Sequence, residues 1–183
     1  QRLPAFSLDY AGNDRFFTPS KFQPNSDTEY IRMMQRSGDF DVHWTVLESK
    51  AVADALPDAL NARDLPGMAD VDSSLLLFCA QIEDHVKVAL SGECADEIFG
   101  GYPWFRDPQV LASQGFPWAQ NTEERAKFLN PEINIDALEF VHSRYRKTIE
   151  ETDILPGTPP AQRQMKQMVN LNYRWFMQTL LDR

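Results

Sequence analysis

The spacing of apolar residues along the chain alternates between short extended runs and helical stretches. Residues 5–10, AFSLDY, form a short apolar run bounded by Pro4 and Gly12, which predicts a strand. Residues 12–27 are rich in turn formers and predict an irregular segment. Ser26 or Asp27 then caps a helix over 28–36 that Gly38 ends. Residues 41–47, DVHWTVL, are β-branched and aromatic and predict a second strand. A helical stretch over 49–63 contains Pro57, a kink or a break between two pieces. Residues 64–72 form a loop, and Val71, Leu75, Phe78, Cys79 and Ile82 recur at helical spacing, giving a helix over 72–84 with a buried face. Residues 86–90, VKVAL, predict a third strand, and Ser91-Gly92 turns it into a helix starting near Cys94 or Ala95.

This order, β-α-β-α-α-β-α, indicates a parallel sheet with right-handed crossovers. Beyond Tyr102 no strand pattern continues, and helices are expected at 121–129, 136–151 and 159–183, the last opened by Thr158 with Pro159 and Pro160 in its first turn. The fold class is therefore α/β: a partial parallel sheet over 1–103, followed by a mainly helical region over 104–183. There is no internal repeat and no low-complexity segment.

Composition narrows the class. The chain has 183 residues, 43% hydrophobic and 25% charged, as in an ordinary soluble domain. Its net charge of -9 argues against non-specific nucleic-acid binding, which needs clustered Lys and Arg, and against attraction to an anionic membrane. Acid is concentrated in residues 51–100, where Arg63 and Lys87 are the basic residues. Most of it reads as a solvated face. No apolar run reaches the roughly 20 residues of a membrane span. Two cysteines without a CxxC imply no disulfide framework and point to a reducing cytoplasm. The chain opens without Met and the last helix has no stop signal, so both ends are expected to be cut points within a longer protein.

Ligands of open parallel sheets sit beyond the carboxyl ends of the strands. Two such ends carry chemistry: Ser7-Leu8-Asp9, and the run from Leu90 to Glu97. In the second, Ser91 and Gly92 are small and admit a ligand close to the backbone. The helix start offers free N–H groups to a phosphate. Glu93, Asp96 and Glu97 supply hard oxygens of the kind that hold Mg²⁺ together with substrate phosphates, and Glu93 can accept a proton. Acids in a first helical turn also simply complement the helix dipole. Gly100 and Gly101 are costly inside a helix, so they end it or allow close packing. The GxxxxGKS/T, GxGxxG, HExxH and GxSxG motifs are absent. His43, within a strand, reads as a packing residue, Cys79 as core, and Cys94, with no His nearby in sequence, as a poor candidate nucleophile.

The run Leu90-Ser91-Gly92-Glu93-Cys94-Ala95-Asp96-Glu97-Ile98-Phe99-Gly100-Gly101-Tyr102 closely resembles the SGE(G/C)xDExFGGY signature of asparagine synthetases. Phe6-Ser7-Leu8, residues 61–76 and residues 170–183 extend the resemblance over essentially the whole chain. It implies an adenine-nucleotide α-hydrolase-like fold and a glutamine-hydrolysing ligase that uses ATP and Mg²⁺ to turn aspartate into a β-aspartyl-adenylate. Ammonia from a separate glutaminase domain then attacks it. By position, the resemblance implies that the main chain at Leu8 lines the adenine site and that Ser91 and Gly92 contact the nucleotide. It likewise implies that Glu93 supports adenylation and takes a proton from ammonia, and that Asp96 binds Mg²⁺ with pyrophosphate.

The family's SGGLDSS pyrophosphate loop, expected just before Gln1, and the N-terminal glutaminase are not in the sequence, and Cys94 stands where Gly is commoner. The 183-residue chain is therefore expected to be inactive alone and prone to self-association as a homo-oligomer through an exposed sheet edge. A related β-lactam-forming synthetase, in which the resemblance implies Tyr at the position of Glu93, and a non-catalytic α/β binding module are the alternatives.

Overall fold

The computed structural model describes residues 2–20 and 23–182. Residues 21–22 of the expected irregular segment, Gln1, and Arg183 at the end of the last expected helix lie outside the described residues. The chain divides into two compact units, the first ending at Ser91 and the second running from Gly92 to Asp182.

The first unit is built on a two-stranded parallel sheet, β1 (Leu3–Tyr10) and β2 (Phe40–Leu47). Their register runs from Leu3 opposite Phe40 to Tyr10 opposite Leu47. The class is α/β, as expected, and both strands enclose the segments that the apolar runs marked. Between them lie one helical turn, α1 (Asn13–Phe16), inside the stretch read as irregular, and α2 (Asp27–Ser37). The Ser26 hydroxyl accepts from the Thr28 amide at 3.4 Å, and Gly38 closes the helix, as the cap residues foretold.

The 49–63 stretch splits into α3 (Ser49–Asp54) and α4 (Leu56–Arg63), with Pro57 in the first turn of the second piece. There a proline lacks only an amide that has no helical partner anyway. α5 (Asp70–Glu83) follows. The buried positions of this unit are Thr45, Leu47, Val52, Ala55, Ala59, Ser73 and Ser74. The small residues let α3 and α4 lie close to α5, and Thr45 donates its hydroxyl to Gln81 on α5 at 2.7 Å.

Two expectations fail here. Residues 86–90 form no strand among the described residues: Val88 is 82% exposed and Leu90 is 100% exposed. Apolar β-branched composition marks a segment fit for a sheet, but a parallel strand exists only through ladder bonds to a neighbour, and this segment has none. Cys79 is exposed rather than core, because α5 turns Ser73 and Ser74 inward and leaves Cys79 on the wall of a cavity of about 260 Å³ beside Ala59, Ala62 and Leu75. His43 is a packing residue as read, its ring stacked on Phe6 at 5.3 Å and beside His85 at 5.0 Å.

The second unit is helical. α6 (Ala95–Phe99) leads to a 3-10 turn at Pro103–Phe105, then α7 (Pro108–Ala112), α8 (Thr122–Ala126), α9 (Ala137–Glu150) and α10 (Pro160–Leu171). The last expected helix is interrupted by a π-helical stretch, Asn172–Met177, before α11 (Gln178–Leu181). Its core gathers Trp104, Phe105 and Met168, flanked by Tyr102, Val110, Leu111, Trp118 and Phe176.

Asn172, with no exposed surface, is the polar pin of this core. Its side-chain oxygen accepts from the Trp104 indole at 3.2 Å and its amide donates to the Met168 carbonyl at 2.8 Å. Replacing it with Leu strands a buried indole N–H, so Asn172→Leu should destabilise the protein by about 1–3 kcal/mol in urea unfolding followed by tryptophan fluorescence. An unchanged midpoint would show that the bond does not hold the core.

Candidate functional site

The segment from Ser91 to Tyr102 is shaped by two residues in the left-handed region. Cys94, at φ 68, precedes α6, and Gly100, at φ 71, follows it. A side chain at such a φ is strained, which is a physical reason for the commoner Gly at position 94 of the signature. Cys94 is nevertheless 6% exposed, its Sγ 4.0 Å from the Met177 carbonyl of the π-helical stretch, so it serves as packing and is badly placed to be a nucleophile. The turn is closed by backbone bonds from Ala95 to Gly92 at 3.1 Å and from Gly101 to Asp96 at 2.9 Å.

Ser91, Gly92, Glu93 and Asp96 are all exposed. A Cβ placed on Gly92 would meet nothing within 4 Å, so its backbone is open to a ligand. Gly101 is the opposite case: a Cβ there would lie 1.7 Å from Asp96 Oδ1. The Asp96 carboxylate thus rests on bare backbone, in space that only glycine leaves. The two glycines after the helix divide the roles foreseen for them, Gly100 ending it and Gly101 allowing close packing.

Glu97 departs from its neighbours. It was read as one of three metal-ready carboxylates, but it is 3% exposed and accepts the Tyr102 hydroxyl at 2.8 Å. One step along a helix rotates a side chain by about 100°, so Asp96 and Glu97 cannot share a face, and the core claims Glu97. Tyr102 stacks on Trp104, ring centroids 4.2 Å apart, and meets the edge of Phe176 at 5.4 Å. Partial burial pushes the Tyr102 phenol above its ordinary value of 10.0, helped by the bond to Glu97 and by the charges of Glu97, Asp96 and Glu93. Arg106 donates to the carbonyls of Gly100 and Gly101 at 3.0 and 3.3 Å, holding the backbone beneath Asp96.

Sequence reasoning named Glu93 and Asp96 but missed the pairing of Glu97 with Tyr102 and the role of Arg106. The one signal for the pair was the spacing of an acid and a tyrosine around two glycines. Gly92, Glu93 and Asp96 belong to the second unit, whereas Leu8 and Ser91 belong to the first. Leu8 is half-buried in β1 opposite Thr45. Next to it, Asp9 fastens the end of the strand: Oδ1 accepts from the Tyr10 amide and the Asn13 amide, each at 2.8 Å, and Oδ2 from the Thr28 hydroxyl at 3.1 Å.

No group of three or more His, Cys, Asp or Glu side chains forms a metal cage among the described residues. Glu93 and Asp96 are exposed carboxylates near an open glycine backbone, and hard oxygens of this kind can share a cation such as Mg²⁺ with a ligand's phosphates.

Comparison with known proteins agrees with the signature. The asparagine synthase family model matches residues 1–183. The chain is 45% identical over 183 residues to asparagine synthetase (glutamine-hydrolyzing) 3 of Bacillus subtilis, covering 99% of this chain and 30% of that protein. It is also 48% identical over 58 residues, 31% of this chain and 9% of the relative, to mycobacterial proteins described by the same activity, from Mycobacterium bovis and Mycobacterium tuberculosis.

The Tyr102 phenol gives a pH test. Its folded value is raised, so it stays protonated in the folded state while the unfolded chain ionises above about pH 10. Its contribution to stability is therefore complete below about pH 10 and declines as pH rises beyond. Tyr102→Phe should show a shallower loss of stability between about pH 10 and 11.5 than the unsubstituted protein. Parallel slopes would mean that the phenol is not held.

Proposed function

The chain belongs to the asparagine synthase family, and on that premise we propose that it forms part of the ATP-dependent synthetase domain of a glutamine-hydrolysing asparagine synthetase. The chain spans 30% of the length of its Bacillus relative, so the reaction is that of the longer protein. The observation that carries the reading is the segment 91–102, where an open Gly92 backbone and two exposed carboxylates stand together on a turn whose shape is held from the core.

In this reading the side-chain carboxylate oxygen of aspartate attacks the α-phosphorus of ATP, and pyrophosphate leaves. The product is an acyl-phosphate mixed anhydride, β-aspartyl-AMP. Ammonia, released from glutamine by an amidotransferase domain, attacks the β-carbonyl carbon, and AMP departs with the electron pair of the broken C–O bond. Attack by a neutral amine generates a cationic nitrogen that must lose a proton, and Glu93, exposed just before α6, is assigned that proton. Ser91 and Gly92 are small enough to admit a nucleotide close to the main chain, and the resemblance assigns the main chain at Leu8 to the adenine. Asp96 would hold Mg²⁺ with pyrophosphate; when bound, the cation offsets the charge of the triphosphate and of the leaving group.

Aspartate, ATP and glutamine-derived ammonia are the substrates in this proposal. The cytoplasm is the proposed compartment: neither cysteine forms a disulfide, and no helix among the described residues is long and apolar enough to cross a membrane.

General acid–base groups contribute about 100-fold or more to rate. Glu93→Gln in the full-length protein should therefore lower aspartate-dependent asparagine formation by about 100-fold, scored by product identification beside aspartate-dependent exchange of labelled pyrophosphate into ATP. Unimpaired synthesis by this variant would remove Glu93 from the mechanism.

A further inference from the structure

Resting on the proposed role of Asp96, we infer that Gly101 and the Glu97–Tyr102 pair are positioning elements that fix the Asp96 carboxylate before metal and nucleotide arrive.

Three observations converge on this. The first is steric. Asp96 Oδ1 sits 1.7 Å from where a Cβ on residue 101 would be, and Asp96 Cγ sits 2.7 Å from it. Gly101 is not in the left-handed region, so the backbone there would accept any residue. What the missing side chain secures is therefore the space occupied by the Asp96 carboxylate. An added methyl must push that carboxylate aside, since it is the movable end of the contact.

The second is rotational. α6 is a single turn, and Asp96 and Glu97 are consecutive on it. A helix this short has little intrinsic stability and takes its orientation from its contacts. Glu97 is pulled inward to the Tyr102 hydroxyl at 2.8 Å, and the Tyr102 ring is stacked on Trp104, itself buried and bonded to Asn172. Fixing Glu97 inward fixes Asp96 outward. The third is the backbone platform. The Gly101 amide donates to the Asp96 carbonyl at 2.9 Å, and Arg106 grips the carbonyls of Gly100 and Gly101 from the other side. Asp96 is thus set by a chain of contacts that begins in the aromatic core.

Groups that orient a metal-holding side chain typically change metal affinity by about 10- to 100-fold when removed. The test is a Mn²⁺ titration of the full-length protein, read by electron paramagnetic resonance, with a non-hydrolysable ATP analogue present. Gly101→Ala should weaken Mn²⁺ binding about tenfold or more, and Tyr102→Phe, which keeps the ring on Trp104 and deletes only the hydroxyl, should shift it in the same direction. Both should raise the Mn²⁺ concentration needed for half-maximal pyrophosphate exchange while leaving the KM for aspartate unchanged; loss of folded protein would lower the rate without moving the metal dependence. Asp96→Asn is the reference. If Asp96→Asn weakens Mn²⁺ binding while Gly101→Ala and Tyr102→Phe bind as the unsubstituted protein does, the inference is overturned and the proposed role of Asp96 stands. If Asp96→Asn binds Mn²⁺ normally, that role is itself wrong. Thermal midpoints show which variants are folded, and if Gly101→Ala is not, Tyr102→Phe decides the matter.

Discussion

A buried carboxylate is expensive unless it is hydrogen-bonded, and here that constraint organises everything around it. Glu97 is drawn inside and accepts the Tyr102 hydroxyl, while Tyr102 lies on Trp104 at the heart of the second unit. The bond therefore joins an aromatic core to an acidic turn. Without it, the five residues of α6 would keep only Cys94 and the Arg106 bonds to the Gly100 and Gly101 carbonyls to set their orientation. With it, one acid is spent inward as an anchor and the next is left outward for chemistry. The raised phenol of Tyr102 reflects the same arrangement, through its burial first and then its bond to Glu97 and the nearby carboxylates.

The cores of the two units solve different problems. The first buries small residues, Ala55, Ala59, Ser73 and Ser74, and so packs helix against helix at short range. The second buries Trp104, Phe105 and Phe116, and the rings of Trp104 and Phe116 meet Trp118, Phe176, Tyr145 and Trp175 in edge and tilted contacts. Aromatic pairs of this kind contribute beyond their buried area, about 0.5–1.5 kcal/mol each. That stiffness is what a single-turn helix needs from its support. The π-helical stretch belongs to the same device, since it presents Asn172 to Trp104 and the Met177 carbonyl to Cys94.

How much was legible follows from what each residue depends on. β1, β2 and α2 could be read because their signals are local: β-branched runs, Ser26 as a cap and Gly38 as a stop. The break near Pro57 was legible for the same reason. Residues 86–90 were misread because a strand depends on its neighbour, which composition does not encode. Cys79 was misplaced because a helical apolar stripe does not say which of its residues a close-packed pair of serines will exclude. At the site, Gly92, Glu93 and Asp96 carried recognisable chemistry. The burial of Glu97 was hidden, since an acid in a first turn looks the same whether it faces water or a tyrosine. The 3-10 turn that carries Trp104 and the short α7 after it were hidden too, as prolines and aromatics there gave no period.

The most direct test of this account is the structure of the full-length protein bound to Mg²⁺ and an ATP analogue that cannot be cleaved between its α- and β-phosphates. A metal is expected within about 2.1 Å of an Asp96 oxygen. Phosphate oxygens should complete the shell, with Glu97 still bonded to Tyr102. A metal held by Glu97 with Tyr102 displaced, or a nucleotide bound away from the segment 91–102, would contradict it.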